Sequence, residues 1–334
     1  MTSLLAVRNL RVELPLAGSW VAAVDGVSFD LARGERLGIA GESGCGKTLL
    51  ARALAGLQPE SARVSGSVLL DGEELLGRPD REWRRVRGAR IGFVFQEPGA
   101  ALDPVRTIGD QVVEPIRIHG SASARSARAR ATELLREVAV PDPRRVFREY
   151  PHRLSGGQKQ RALIASALAS DPELLIADEP TTALDATIAA EVMALLERLR
   201  QKRSLTLLLI SHDLNLLGDH TDRVLVLYAG RVVEEAPTAE LLREPRHPYT
   251  RGLIRSAPRL STRGRGARFE PIGGSVPDLS ERPGGRCAFL PRCSERFEAC
   301  EGPEPPLFAS ESARVRCYLY AKVGSGTARA RESL

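Results

Sequence analysis

Apolar and polar residues alternate through most of residues 3–33, the period-two rhythm of half-buried β-strands. A further strand or hairpin is predicted over 64–75, turning at Asp71-Gly72. The pattern then changes. Residues 37–40, 91–95, 174–178, 205–210 and 223–228 read as short, nearly continuous apolar runs, as strands buried on both faces do. Helix-length stretches at 122–139, 158–170 and 186–202 are distributed among them. Strands alternating with helices predict an α/β fold around a mainly parallel sheet. Residues 99–150 differ in character, with a loop punctuated by Asp103-Pro104 and Glu114-Pro115 ahead of an Ala/Arg-rich helix. No internal repeat is visible. Beyond about residue 240 Pro and Gly become frequent, periodicity fades over 258–285, and residues 324–334 are expected to be a disordered tail.

At 334 residues the chain can hold one large domain with an appendage. No run approaches the roughly 18 apolar residues of a membrane span, and the first residues lack the pattern of a signal peptide. The expectation is neither an integral membrane protein nor a secreted one. The net charge of +6 rests on 48 basic residues, only 4 of them Lys, against 42 acidic ones. This reads as a compositional preference for Arg, with no nucleic-acid partner expected; the cluster Arg125, Arg128 and Arg130 reads as a solvated helix face.

The chemistry begins at 41–48, GESGCGKT, between an apolar strand and a helix-forming stretch. This is the P-loop pattern in its required strand–loop–helix setting. Glycines Gly41, Gly44 and Gly46, with Ser43 and Cys45, allow backbone N–H groups to converge on phosphates at a helix N-terminus. Lys47 brings a point charge to the β- and γ-phosphates, and the Thr48 hydroxyl is placed to ligate Mg²⁺. The run LLIADE ends a buried strand in two carboxylates. Asp178 suits Mg²⁺ and Glu179 suits a general base that polarises the attacking water.

Residues 154–161, LSGGQKQR, precede that strand and resemble the signature peptide of ATP-binding cassette (ABC) ATPases. The other family motifs follow in order: Gln96 resembles the Q-loop glutamine, Ala183-Leu184-Asp185 the D-loop, and His212 the switch histidine. The resemblance implies an ABC ATPase over 1–240: a mainly parallel sheet, an N-terminal antiparallel β subdomain and a helical subdomain at about 97–170. It gives Gln96 a share in Mg²⁺ binding and catalysis, beside His212 and Glu179. It implies a head-to-tail pair of ATPase subunits, in which Ser155, Gly156, Gly157 and Gln158 meet ATP held by the other subunit. Trp20 is the candidate for stacking on adenine.

The cysteines are unevenly placed. Cys45 stands alone, whereas Cys287, Cys293, Cys300 and Cys317 lie close together. In a reducing compartment such a cluster points to metal rather than disulfides. The spacings are too long for a zinc finger, and four thiolates suit Zn²⁺ or an iron–sulfur cluster. With the preceding RHPYT, residues 241–323 resemble the small cysteine-rich C-terminal domain of oligopeptide and dipeptide importer ATPases, and IADEPTTALD resembles the D-type subunit. That resemblance implies a [4Fe–4S] cluster, with zinc as the alternative. It also implies a related second ATPase as heterodimer partner, two transmembrane permease subunits, an extracytoplasmic solute-binding protein contacted indirectly, and a peripheral position on the cytoplasmic face of the inner membrane. Peptide is the expected cargo, with nickel or another small solute as the alternative and a soluble, non-transport ABC ATPase the remote one. Ligation is expected to supply most of the order of this segment, the ATPase sheet being complete without it.

Overall fold

The computed structural model describes residues 3–182, 184–256, 272–282 and 284–321. Ala183, residues 258–271 of the low-periodicity stretch and the expected tail at 324–334 lie outside the described residues.

Two sheets organise the chain. Strands Ser3–Leu16 and Ser19–Ala32 form a long antiparallel hairpin, extended by Arg63–Leu70 and the short Glu73–Glu74. Its inner face buries Leu5, Val7, Leu10, Val24 and Phe29. The second sheet has eight strands. Five of them are parallel and lie in the order Arg223–Tyr228, Arg36–Ala40, Thr206–Ser211, Leu174–Asp178 and Ile91–Val94. Leu174–Asp178 and Thr206–Ser211 are buried at every position, which accounts for their unbroken apolar character. Since these strands run the same way, the residues that follow them emerge at one edge: the P-loop after Ala40, Gln96 after Val94, Glu179 after Asp178 and His212 after Ser211. Ligands in parallel α/β sheets bind at this edge.

Helices Ile108–His119, Ala124–Glu137 and Gly156–Ala167 pack together between the strands Ile91–Val94 and Leu174–Asp178 in chain order. Pro115 stands inside the first of them and cannot donate to the Gln111 carbonyl; the Ser166 hydroxyl donates to that oxygen instead, at 3.4 Å. Arg128 and Arg130 are not simply solvated: the Arg128 guanidinium lies 5.5 Å from the Phe147 ring centre, and Arg130 pairs with Glu137 and Asp171.

The C-terminal segment departs most from expectation. Its strands Phe308–Ser310 and Ala313–Val315 add to the edge of the main sheet through Arg231–Pro237, with Val315 opposite Glu234. Tyr249, Leu253, Phe289 and Ala313 join the same apolar core as the parallel strands. The sheet is therefore not complete without this segment. A stretch too poor in periodic apolar residues to build a core shares one that already exists.

Candidate active site

The P-loop follows Ala40 and leads into the helix Lys47–Leu54. Two glycines are sterically required. At Gly41 (φ 153°) a Cβ would lie 2.4 Å from the Leu227 carbonyl oxygen, and at Gly46 (φ 109°) one would lie 2.7 Å from that of Ala23. Cys45 is fully buried beneath the loop, and burial pushes its thiol upward from the usual range. Lys47 is also buried, and its Nζ donates to the Gly41 and Glu42 carbonyls at 2.8 and 3.0 Å.

The Thr48 hydroxyl donates to Asp178 Oδ1 at 3.2 Å. Burial raises the Asp178 carboxyl, the hydrogen bond from Thr48 opposes this, and neighbouring Glu179 adds to the rise. A hydroxyl meeting a desolvated carboxylate at a phosphate loop is the all-oxygen donor chemistry that a hard divalent cation takes. The two side chains fit Mg²⁺.

Glu179 is the hub of the site. Its backbone takes φ 46°, a left-handed conformation unusual for a side-chain-bearing residue, and its N–H donates to the Ile210 carbonyl at 3.0 Å. This turn aims the carboxylate back over the strand end. There, Oε2 accepts from Gln96 Nε2 at 3.2 Å and Thr182 Oγ1 at 2.9 Å and lies 3.1 Å from His212 Nδ1, while Lys47 Nζ stands 3.7 Å from Oε1. Ser43, Gly44, Gly46, Lys47, Thr48, Gln96 and Glu179 line one cavity of about 480 Å³.

Other predicted residues are not part of this cavity. Ser155 caps the helix Gly156–Ala167: its Oγ accepts from the Gln158 N–H at 3.3 Å, and Gln158 Oε1 accepts from the Ser155 N–H at 3.1 Å. This capping box sits on the surface, with Ser155 and Gly156 exposed. The Asp185 carboxylate caps the next helix, Ala186–Arg203, by accepting from the Ile188 N–H at 3.0 Å. Trp20 lies outside the cavity lining, with the Arg63 guanidinium stacked 3.7 Å from its ring centre.

The four C-terminal cysteines are free thiols that line a single small cavity with His247 and Phe289. Burial pushes Cys287 and Cys293 upward and Cys317 up to about 11, and the neighbouring thiols add to each rise. The donor set thus converges in number and chemistry. The enclosed space, about 20 Å³, holds roughly one water, and among the described residues no group of His, Cys, Asp or Glu is closed into a metal cage.

Sequence reasoning missed the supports of the P-loop. The Glu42 N–H donates to the Tyr249 hydroxyl at 2.8 Å, and the Glu42 carboxylate takes a two-pronged ion pair from Arg292 at 2.8 and 3.0 Å. Arg282 donates to the Gly44 carbonyl at 2.9 Å. Tyr249 was signalled by its place in RHPYT; nothing marks Arg282 and Arg292 among so many arginines.

Comparison with known proteins agrees with this geometry. A family model described as ABC transporter matches residues 24–182, and one described as oligopeptide/dipeptide transporter, C-terminal region, matches 233–300. A dipeptide transport ATP-binding protein, DppD of Bacillus subtilis (strain 168), is 42% identical over 322 residues, covering 96% of this chain and 95% of its own. An oligopeptide transport ATP-binding protein, AppD of the same organism, is 42% identical over 328 residues, covering 97% and 99%. A solved structure of the ATP-binding cassette MJ0796, dimeric and bound to ADP and Pi, superposes with a TM-score of 0.64 at 30% identity, covering 70% of this chain and 98% of that one. The fold and site are those of an ABC ATPase. Within that class, the chain belongs to the family of peptide-transporter ATP-binding proteins that carry the oligopeptide/dipeptide C-terminal region.

Proposed function

We propose that this chain is the ATP-hydrolysing subunit of an ABC importer, coupling ATP binding and hydrolysis to uptake of oligopeptides or dipeptides through two membrane permease subunits. The observation that carries the reading is the convergence of Lys47, Gln96, Thr182 and His212 on the Glu179 carboxylate, in the cavity that the P-loop lines. Glu179 accepts the proton of the attacking water. Gln96 and His212 hold its carboxylate in place, and His212 is largely exposed. Lys47 exchanges its loop carbonyls for phosphate oxygens, and the loop's N–H groups bind the rest of the triphosphate. Thr48 and Asp178, with Gln96 beside them, would hold Mg²⁺, which neutralises charge developing on the phosphates.

Ser155 and Gly156, exposed, and Gly157 and Gln158, half-buried, lie away from the cavity of their own chain, which supports a head-to-tail pair in which they complete the site of a second, related ATPase subunit. Asp185 belongs to the same face. Among the described residues no helix is long and apolar enough to cross a membrane, consistent with a peripheral subunit on the cytoplasmic face of permeases that receive cargo from an extracytoplasmic solute-binding protein. The domain division follows as 1–240 for the ATPase, with its helical subdomain at about 97–170, and 241–323 for the C-terminal domain. We assign Cys287, Cys293, Cys300 and Cys317 as the ligand set of a [4Fe–4S] cluster, with zinc as the alternative; the four thiols sharing one cavity support it, and the thiols must spread to admit a cluster.

Copurification with the two permeases, followed by ATP-dependent peptide uptake in proteoliposomes, tests the assignment. A complex that forms and turns over ATP but carries nickel rather than peptide would change the cargo and keep the machinery. A chain that hydrolyses ATP but assembles with no membrane permease would overturn the importer reading.

A further inference from the structure

The cavity that holds the P-loop side chains has a second wall, made of a different kind of surface. Leu14 and Ala23 of the N-terminal hairpin and Val276, Pro277, Asp278 and Leu279 of the C-terminal segment line it. Val276, Pro277 and Leu279 are half-buried, and Asp278 is exposed. The cavity thus joins the N–H groups and cations of the loop to a largely apolar wall that carries the Asp278 carboxylate and the Arg282 guanidinium. A nucleoside triphosphate has that division: an anionic chain, then a flat apolar base on a sugar with hydroxyl donors. The volume, about 480 Å³, is in the range of small-ligand sites.

The wall is fastened to the loop. Arg282 Nη1 donates to the Ala23 carbonyl at 2.8 Å, and Nη2 donates to the Gly44 carbonyl at 2.9 Å, so one guanidinium ties the N-terminal hairpin, the P-loop and the C-terminal segment together. Its Nε is buried and has no partner among the described residues. The short helix Leu279–Glu281 carries the wall straight into this anchor.

Resting on the reading of this cavity as the ATP site, we propose that residues 276–279 form its base-and-ribose wall, so that the C-terminal segment completes nucleotide binding within the same chain. Val276, Pro277 and Leu279 pack against one face of the base, opposite Leu14 and Ala23. The Asp278 carboxylate, an acceptor only, takes a hydroxyl or amino donor of the nucleoside. On this proposal the base platform is this wall rather than Trp20, which lies outside the cavity lining with Arg63 stacked on its ring.

The test is equilibrium binding of Mg·ATP and Mg·tripolyphosphate to the full-length chain, unaltered and as the variants Leu279→Asp, Asp278→Ala and Lys47→Ala. Leu279→Asp should weaken ATP about tenfold or more, since a charge then stands where an apolar side chain faced the base, and leave tripolyphosphate within about twofold. Asp278→Ala should weaken ATP about three- to tenfold, again without touching tripolyphosphate. Lys47→Ala should weaken both ligands. Unchanged ATP affinity in Leu279→Asp and Asp278→Ala, with both ligands weakened in Lys47→Ala, would overturn the wall and keep the phosphate site. Equal weakening of both ligands by Leu279→Asp would make the segment a structural prop and likewise overturn the proposal. Unchanged binding in Lys47→Ala would remove the phosphate site itself, and the wall with it.

Discussion

Asp178 shows how a single residue trades stability for chemistry. Burial and the adjacent Glu179 raise its carboxyl above the ordinary value of 3.8. A group whose folded-state pKa is raised stabilises fully below its unfolded value and loses that contribution as pH rises through the folded one. At neutral pH the ionised Asp178 therefore subtracts from the stability of the nucleotide-free chain, and a bound divalent cation restores it. Asp178→Asn should accordingly unfold at the same or a higher temperature than the unaltered chain without Mg²⁺ and nucleotide, yet lose most of the thermal shift that Mg·ATP produces. Differential scanning fluorimetry with and without Mg·ATP checks both halves; a large drop in the nucleotide-free melting temperature would contradict the account. Lys47 behaves differently, since its charge meets phosphate in the ground state and the transition state alike. Lys47→Ala should weaken ATP binding itself by roughly 10-fold or more, measured by titration with a fluorescent ATP analogue.

At the scale of elements, the signature peptide has a structural role that its functional reading conceals. Ser155 and Gln158 are the two ends of a capping box, so the Ser-Gly-Gly-Gln sequence itself starts the helix Gly156–Ala167. Ser155→Ala should cost the isolated chain about 1 kcal/mol in urea unfolding, separately from any effect on a paired subunit. The buried strands were legible in the sequence, because their unbroken apolar runs admit few other interpretations, and so were the motif residues at their ends. Less legible was the left-handed turn at Glu179, because propensity argues against a side-chain-bearing residue there. Least legible was the region beyond residue 240: its strands are three residues each and gain their order from Arg231–Pro237 and the shared core, which no local periodicity reports. Trp20 stands out in the sequence because aromatic residues are scarce in the N-terminal stretch, whereas the cavity's apolar wall comes from aliphatic side chains more than 250 positions apart in the chain.

For the whole molecule, the C-terminal segment is a buttress of the nucleotide site. Tyr249, Arg282 and Arg292 each hold a P-loop residue, and Arg292 adjoins Cys293. Its guanidinium is 5% exposed and paired with Glu42, so Arg292→Ala should destabilise the chain by about 2–3 kcal/mol and lower ATP affinity with it. Arg292→Lys, which keeps the charge and loses the fork, should recover only part of both. Unfolding and nucleotide titration on the same preparations separate the two effects, and undiminished ATP affinity in Arg292→Ala would detach the segment from the site. The metal assignment is tested by anaerobic purification with iron, sulfide and zinc analysis: four irons per chain and absorbance near 400 nm are expected, and a colourless protein with one zinc would replace the cluster. The central claim, that Glu179 at the hub of this cavity performs the hydrolysis that drives transport, is tested most directly by Glu179→Gln in the complex reconstituted with its permeases. ATP binding should be retained, hydrolysis at this site should fall by roughly 10²–10⁴-fold, and peptide uptake should stop with the complex held in an ATP-bound state. Near-normal hydrolysis at this site, with transport intact, would contradict it.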